Sequence, residues 1–267
     1  MLSVKGPEWL TFDSLIPYPF AKRNKPVLSS TAVEYLETIY NITVEGDSVV
    51  NARLAEKFGV SPPSVTEMLH RLERDGYLTH DRATGLRLTD KGIVAAEESL
   101  RRHRLAERFL LDVLKMDWIA AHEEAHALQN SLTPAIEARM IELLGNPTTC
   151  PHGNPIPGRA PSAHDFLIRH HAMRLSQAPA NTPLRVLCIS EVVEDETALL
   201  RSVGEVGIRP AADLVVRDRT AGGEVALALD GGSRQVELSR PVADKIWVYA
   251  PQLNASATSS ALDTADR

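Results

Sequence analysis

The chain has 267 residues, of which 43% are hydrophobic and 24% charged, and its formal net charge is −6. That length allows one large domain or two to three small ones; no apolar run approaches the roughly 18 residues that cross a bilayer, and the first thirty residues lack a secretory signal, so a cytoplasmic protein is expected. Cys150 and Cys188 are too few for a disulfide framework and too isolated for a thiolate zinc cluster, so both read as packing thiols.

Residues 1–30 hold Pro7, Pro17, Pro19 and Pro26 without any period, which reads as an irregular arm. From Thr31 to Val44, the apolar positions Val33, Leu36, Ile39 and Tyr40 recur at helical spacing. A short helix over 51–58 should stop at Gly59, and Ser61 with Pro62 should cap and open the next. Val65, Met68, Leu69 and Leu72 form its inner face. Tyr77–His80 and Leu86–Thr89 read as two strands of a hairpin with Gly85 in its turn. Helical patterns follow over 90–114, from the cap Asp117 to Ser131, and from Thr133-Pro134 to Gly145. Residues 146–158 are turn chemistry, and 160–183 form a linker with a short helix near 165–175. Five short strands at 184–189, 214–216, 225–229, 235–238 and 246–249 predict a small β-barrel, and the Ser-, Thr- and Ala-rich tail over 251–267 should be disordered.

Two helices joined by a tight glycine turn, the second opening on small polar residues, suit a DNA major groove. The outward residues of that second helix are Ser61, Pro63, Ser64, Thr66, Glu67, His70 and Arg71, and Arg82 and Arg87 lie on the hairpin as a wing. A generic three-helix packing unit would satisfy the same pattern. Charge does not favour the DNA reading, since residues 29–91 hold seven Lys or Arg against ten Asp or Glu, whereas phosphate binding calls for a basic surface.

The strongest chemical signal is a pair of helical pairs, His103 with Glu107 and His122 with His126. Residues four apart share a helix face, so each pair can hold a metal ion. Glu34 and Glu37 add carboxylates on one face of the first helix, while Gln129 and Asn130 continue the His122/His126 face with amide oxygens. The stretch HEEAH at 122–126 also fits H-E-x-x-H, so a zinc metallohydrolase with Glu123 as general base is the alternative.

Several segments resemble the diphtheria-toxin-repressor family of metal-dependent regulators: EYLETIY at 34–40, VSPPSVTEMLHRLERDGYL at 60–78, LTDKG at 88–92, RHRLAERFLLDVL at 102–114 and GNPIPG at 153–158. The resemblance implies a mainly α protein with a small β part. It would comprise a winged helix-turn-helix over 31–92, a helical metal-binding and dimerisation domain over 93–158, a linker over 159–183, and an SH3-like, FeoA-like barrel over 184–250. It further implies a homodimeric repressor of metal-uptake or metal-homeostasis genes, acting on a palindromic operator in double-stranded DNA under control of Mn(II) or Fe(II). By position, His103, Glu107, His122 and Glu196 would form an ancillary metal site, where Zn(II) is an alternative, and Leu199 falls where some members have a glutamine ligand. Glu34, Glu37, His126, Gln129 and Asn130 would form the primary site. There the chain departs from the family: His126 replaces a cysteine or glutamate, Gln129 a glutamate and Asn130 a histidine, which leaves fewer charged ligands.

Overall fold

The computed structural model describes residues 28–81, 85–192 and 196–251. The N-terminal part contains α1 (Ser30–Val44), α2 (Asn51–Phe58), α3 (Pro62–Arg74) and a hairpin of β1 (Leu78–Asp81) and β2 (Gly85–Leu88). Each boundary has a local cause. The Ser29 hydroxyl accepts the Ala32 amide at the start of α1, Gly59 closes α2 in the left-handed region at φ 60°, and the Ser61 hydroxyl accepts the Ser64 amide ahead of Pro62. Leu36, Ile39, Leu54, Val65, Leu69, Leu72 and Leu78 meet in one core beneath this unit.

Next come α4 (Asp90–Arg108), a π turn over Phe109–Val113, α5 (Trp118–Gln129) and α6 (Pro134–Leu143). The single helix expected over 90–114 therefore ends early: beyond Arg108 the hydrogen bonds widen, with the Leu114 amide reaching Phe109 O. The LTDKG segment has a mechanical reason. The Thr89 hydroxyl caps α4 by accepting the Gly92 amide, and a Cβ on Gly92 would stand 2.1 Å from the Tyr77 carbonyl oxygen. Only glycine lets the base of the hairpin sit directly on α4. Asp117 caps α5 as expected, accepting the Ile119 and Ala120 amides.

The C-terminal part contains α7 (Ala163–Arg169), β3 (Met173–Arg174), β4 (Pro183–Ile189), α8 (Glu196–Glu205), β5 (Asp213–Arg219), β6 (Val225–Leu229), β7 (Arg234–Leu238), α9 (Arg240–Ala243) and β8 (Ile246–Tyr249). Six strands run antiparallel in the order β3-β8-β4-β5-β6-β7. The five expected strands are present; β3 within the expected linker, and α8 between the first two of the five, are additions. Trp118 of α5 enters the core of this sheet unit, and it can do so because Gly204 of α8 leaves room: a Cβ there would be 2.9 Å from the indole. No helix among the described residues is long and apolar enough to cross a membrane.

The end of α1 is bolted to the sheet unit by Glu45. Its carboxylate accepts from the Ser190 hydroxyl at 2.5 Å and lies 3.5 Å from Arg174, which also reaches Asp47 at 3.2 Å. Burial pushes the Glu45 carboxyl up from 4.5 to about 7; Ser190, Arg174 and Lys245 pull it back only in part, and Asp47 adds to the rise. A carboxyl raised on folding adds stability that is complete below its unfolded value and is lost as pH rises through the folded one. Between pH 5 and 8 this group should therefore cost up to about 3 kcal/mol. Glu45→Gln should flatten that part of the profile, read as the difference between wild-type and variant melting temperatures at the two pH values. Parallel profiles would refute it.

Candidate metal centre and nucleic-acid interface

Helix α3 presents Ser61, Pro63, Ser64, Glu67, His70 and Arg71 to solvent, with Thr66 half-buried, and Arg87 is exposed on β2. Arg82 lies outside the described residues. Ser61 and Ser64 share a hydroxyl hydrogen bond of 2.9 Å; Thr66 donates to Pro62 O and accepts from the Asn51 side chain, bracing α2 against α3. An open groove along this face is lined by Pro63, Thr66, Glu67, His70, Glu73 and Arg74. The face joins a helix N-terminus, which attracts phosphate, to small hydroxyls and Arg71.

Helices α4 and α5 carry His103, His122 and His126. Ligand atoms of His103, Glu107 and His122 all lie within 4.8 Å of one another, and all three residues are buried. Glu107 is 1% exposed. Its Oε1 lies 2.9 Å from His122 Nδ1, 3.0 Å from His152 Nδ1 and 3.2 Å from His103 Nε2, while Oε2 is buried without a hydrogen-bond partner among the described residues. Burial opposes the Glu107 anion, but His152, His103 and His122 outweigh it and hold the carboxyl well below its usual range. Burial likewise opposes the His103 cation, and Glu107 overcomes it, raising that imidazole to about 9. His122 is raised in the same way, chiefly by Glu107 and Glu196 against burial. His126 is exposed overall, but its ring lies against that of His103; that local desolvation, with the charges of His103 and His122, moves its imidazole the other way, down to about 4.

Glu196, at the start of α8, faces the triad from the sheet unit, with Oε1 4.0 Å from His122 Nε2 and Oε2 3.9 Å from Lys57 of α2. Leu199 is buried in the sheet core. Among the described residues, the carboxylates Glu34 and Glu37 and the imidazole of His126 are not grouped at metal-ligand spacing. Glu34 is exposed. Glu37 has its Oε1 buried and unpartnered among the described residues, and burial raises its carboxyl. The exposed His126 has its ring centroid 4.5 Å from that of His103, and the Asn130 side chain donates to His126 O. Gln129 is buried, with Oε1 2.6 Å from His103 Nδ1.

Sequence reasoning missed four residues here. Cys150 and His152 join Glu107 in a second buried group with metal-ligand spacing, with Sγ 4.0 Å from His152 Nδ1. The expectation of a packing thiol therefore needs amending for Cys150; Cys188 does pack, beside Phe166, Leu187 and Trp247. The signal was the Cys-x-His spacing inside a run that reads as turn. Gly153 fixes that turn: at φ 86° it lies so close to β4 that a Cβ would be 2.1 Å from Leu187 O, and the Ile189 amide donates to His152 O. The other pair is Arg104 and Glu191. Arg104 is 2% exposed; it donates to both Glu191 oxygens at 3.1 and 2.7 Å and to Pro155 O at 2.6 Å, while Asn41 of α1 donates to Glu191 at 3.0 Å.

The donor set fits a divalent cation. A buried carboxylate with one oxygen crowded by three imidazoles and the other unpartnered is what an ion would resolve. The hydrolase reading loses its base, because Glu123 points to solvent from α5 while His122 is buried.

A winged-helix protein with a buried histidine and carboxylate centre between α4 and α5 is thus the class that fold and site define. Residues 27–86 match the iron-dependent repressor N-terminal DNA-binding domain, 89–158 its metal-binding and dimerisation domain, and 173–250 the FeoA domain. The chain is 36% identical over 213 residues to the iron-dependent repressor of Mycobacterium tuberculosis, covering 76% of this chain and 90% of that protein. It is 31% identical to the diphtheria toxin repressor of Corynebacterium diphtheriae, covering 83% and 97%. Among solved structures, a manganese-dependent transcriptional repressor in complex with manganese is similar at a TM-score of 0.67 and 32% identity, covering 82% of this chain and 99% of that one. The chain belongs to the diphtheria-toxin-repressor family of metal-dependent transcriptional regulators, a family of repressors rather than enzymes.

Proposed function

We propose that this chain is a homodimeric, metal-dependent repressor that binds a palindromic operator in genes of metal uptake or homeostasis, with Mn(II) or Fe(II) as its signal. The observation that carries the reading is Glu107, buried with three imidazole nitrogens around one oxygen and the other oxygen left over. His103, Glu107 and His122 would hold the ion, with Glu196 closing from the sheet unit. When bound, the ion supplies two positive charges that neutralise Glu107 and tie α4, α5 and α8 together. Oxygen and imidazole donors suit Mn(II) and Fe(II); participation by Cys150 would favour Zn(II) instead. Exposed Leu114, Ile136 and Leu143 on the helical region supply apolar surface for a second copy.

Metal binds the DNA-competent arrangement better, so metal and DNA strengthen each other's binding. The test is fluorescence anisotropy with genomic DNA fragments, in Mn(II) and in chelator, at fixed salt. Mn(II) should tighten binding at least tenfold, the lower part of ordinary coupling energies, and His103→Ala should remove that response. Equal affinity in metal and chelator would end the proposal. Glu37, with its unpartnered oxygen, and His126 offer a second position: a metal response lost in Glu37→Ala and kept in His103→Ala would move the sensor to the primary-site residues.

A further inference from the structure

We infer that Gln129 is a positioning residue for the metal centre: it acts through His103, fixing which imidazole nitrogen faces the ion, and is not itself a ligand. The inference rests on the triad reading above. Gln129 ends α5 and is 6% exposed, and its Oε1 lies 2.6 Å from His103 Nδ1. An amide oxygen can only accept, so Nδ1 must carry a proton, and that proton cannot leave without stranding a buried acceptor. The other nitrogen, Nε2, is then the one left for an ion, and it is the one that faces Glu107, at 3.2 Å. His103 and Glu107 come from successive turns of α4, whereas Gln129 comes from α5, so the hydrogen bond also sets the ring's rotation from a second helix. The His126 ring packs against the same imidazole, with centroids 4.5 Å apart. Gln129 supplies this acceptor without charge. A metal-ligating imidazole commonly donates its second N–H to a fixed oxygen, and removal of that oxygen typically costs 10- to 100-fold in metal affinity.

Two measurements test the assignment. In full-length protein loaded with Zn(II) and labelled with 15N-histidine, His103 should show a metal-bound Nε2 and a protonated Nδ1; ligation through Nδ1 overturns the inference. In metal titrations, Gln129→Leu should weaken Mn(II) binding roughly 10- to 100-fold, while Gln129→Glu, which keeps the accepting oxygen, should stay within a few-fold of wild type. Unchanged affinity in the leucine variant, or an equal loss in the glutamate variant, overturns it. If the leucine variant fails to fold, the labelled wild-type spectrum decides alone. His103→Ala separates the two layers: if it leaves Mn(II) affinity intact, the triad reading itself fails, and if it abolishes binding while Gln129→Leu does not weaken it, only the positioning role fails.

Discussion

Replacing Arg104 by methionine should lower the stability of the protein by about 3–5 kcal/mol, the cost of stranding one partner of a buried ion pair. The guanidinium is 2% exposed and joins three regions at once: Asn41 of α1, Pro155 in the turn after α6, and Glu191 just after β4. Once it is removed, Glu191 keeps, among the described residues, the Asn41 amide alone and must be buried as an anion or take up a proton. Burial opposes the Glu191 anion, and Arg104 outweighs it to hold the carboxyl below its usual value. At about 2–4 °C per kcal/mol for a chain of this size, the melting temperature should fall by roughly 10 °C. The double variant Arg104→Met, Glu191→Leu should recover much of the loss, since apolar replacements of both partners are often neutral. A single variant within 1 °C of wild type, or a double variant no better than the single, would dismiss the clamp.

The second large effect belongs to Glu107. It is the one residue common to both ligand groups, His103–Glu107–His122 and Glu107–Cys150–His152. Glu107→Gln should therefore abolish high-affinity metal binding at either of these two groups, by at least the 100-fold that loss of a supporting group can cost. The metal-free chain should remain folded, because glutamine keeps one carbonyl oxygen for His122 Nδ1 and the imidazoles that Glu107 favours as cations can release their protons. Isothermal titration with Mn(II) reads the first part and thermal melting in chelator the second. Variants then divide the two groups: His122→Ala touches only the first and Cys150→Ala only the second. Retained Mn(II) affinity in Glu107→Gln would remove the ion from both.

The winged helix and the His103/Glu107 half of the candidate metal centre were legible because helical periodicity is a strong signal. His103 and Glu107 stand four apart on a long helix, and Ser61-Pro62 announces a helix start in local chemistry alone. Where the fold depends on contacts distant in sequence, the signal fades. The two-residue strand β3 has no period to read, and its pairing with β8 is settled by Trp247 and Val248, more than seventy residues away. His152 and Cys150 lie in a run of prolines, threonines and glycine whose spacing says only turn; it is Gly153 against β4 that carries them to Glu107. Gln129 looked like a weakened ligand because its helical position continues the His122/His126 face. Its orientation toward His103 depends on how α5 crosses α4, which no local pattern encodes.

The seating of Gly92 on the Tyr77 carbonyl turns α4 into a lever. Its first turn is welded to the hairpin at Gly92, and Glu107 lies fifteen residues further on, roughly 22 Å along the axis at 1.5 Å per residue. A pivot of about 5° at the histidine end would sweep the base of the hairpin through roughly 2 Å, several times the roughly 0.5 Å spread of hydrogen-bond lengths. Were an ion to draw His103, Glu107 and His122 together, so small an adjustment would be magnified at the hairpin with no need for any element to unfold.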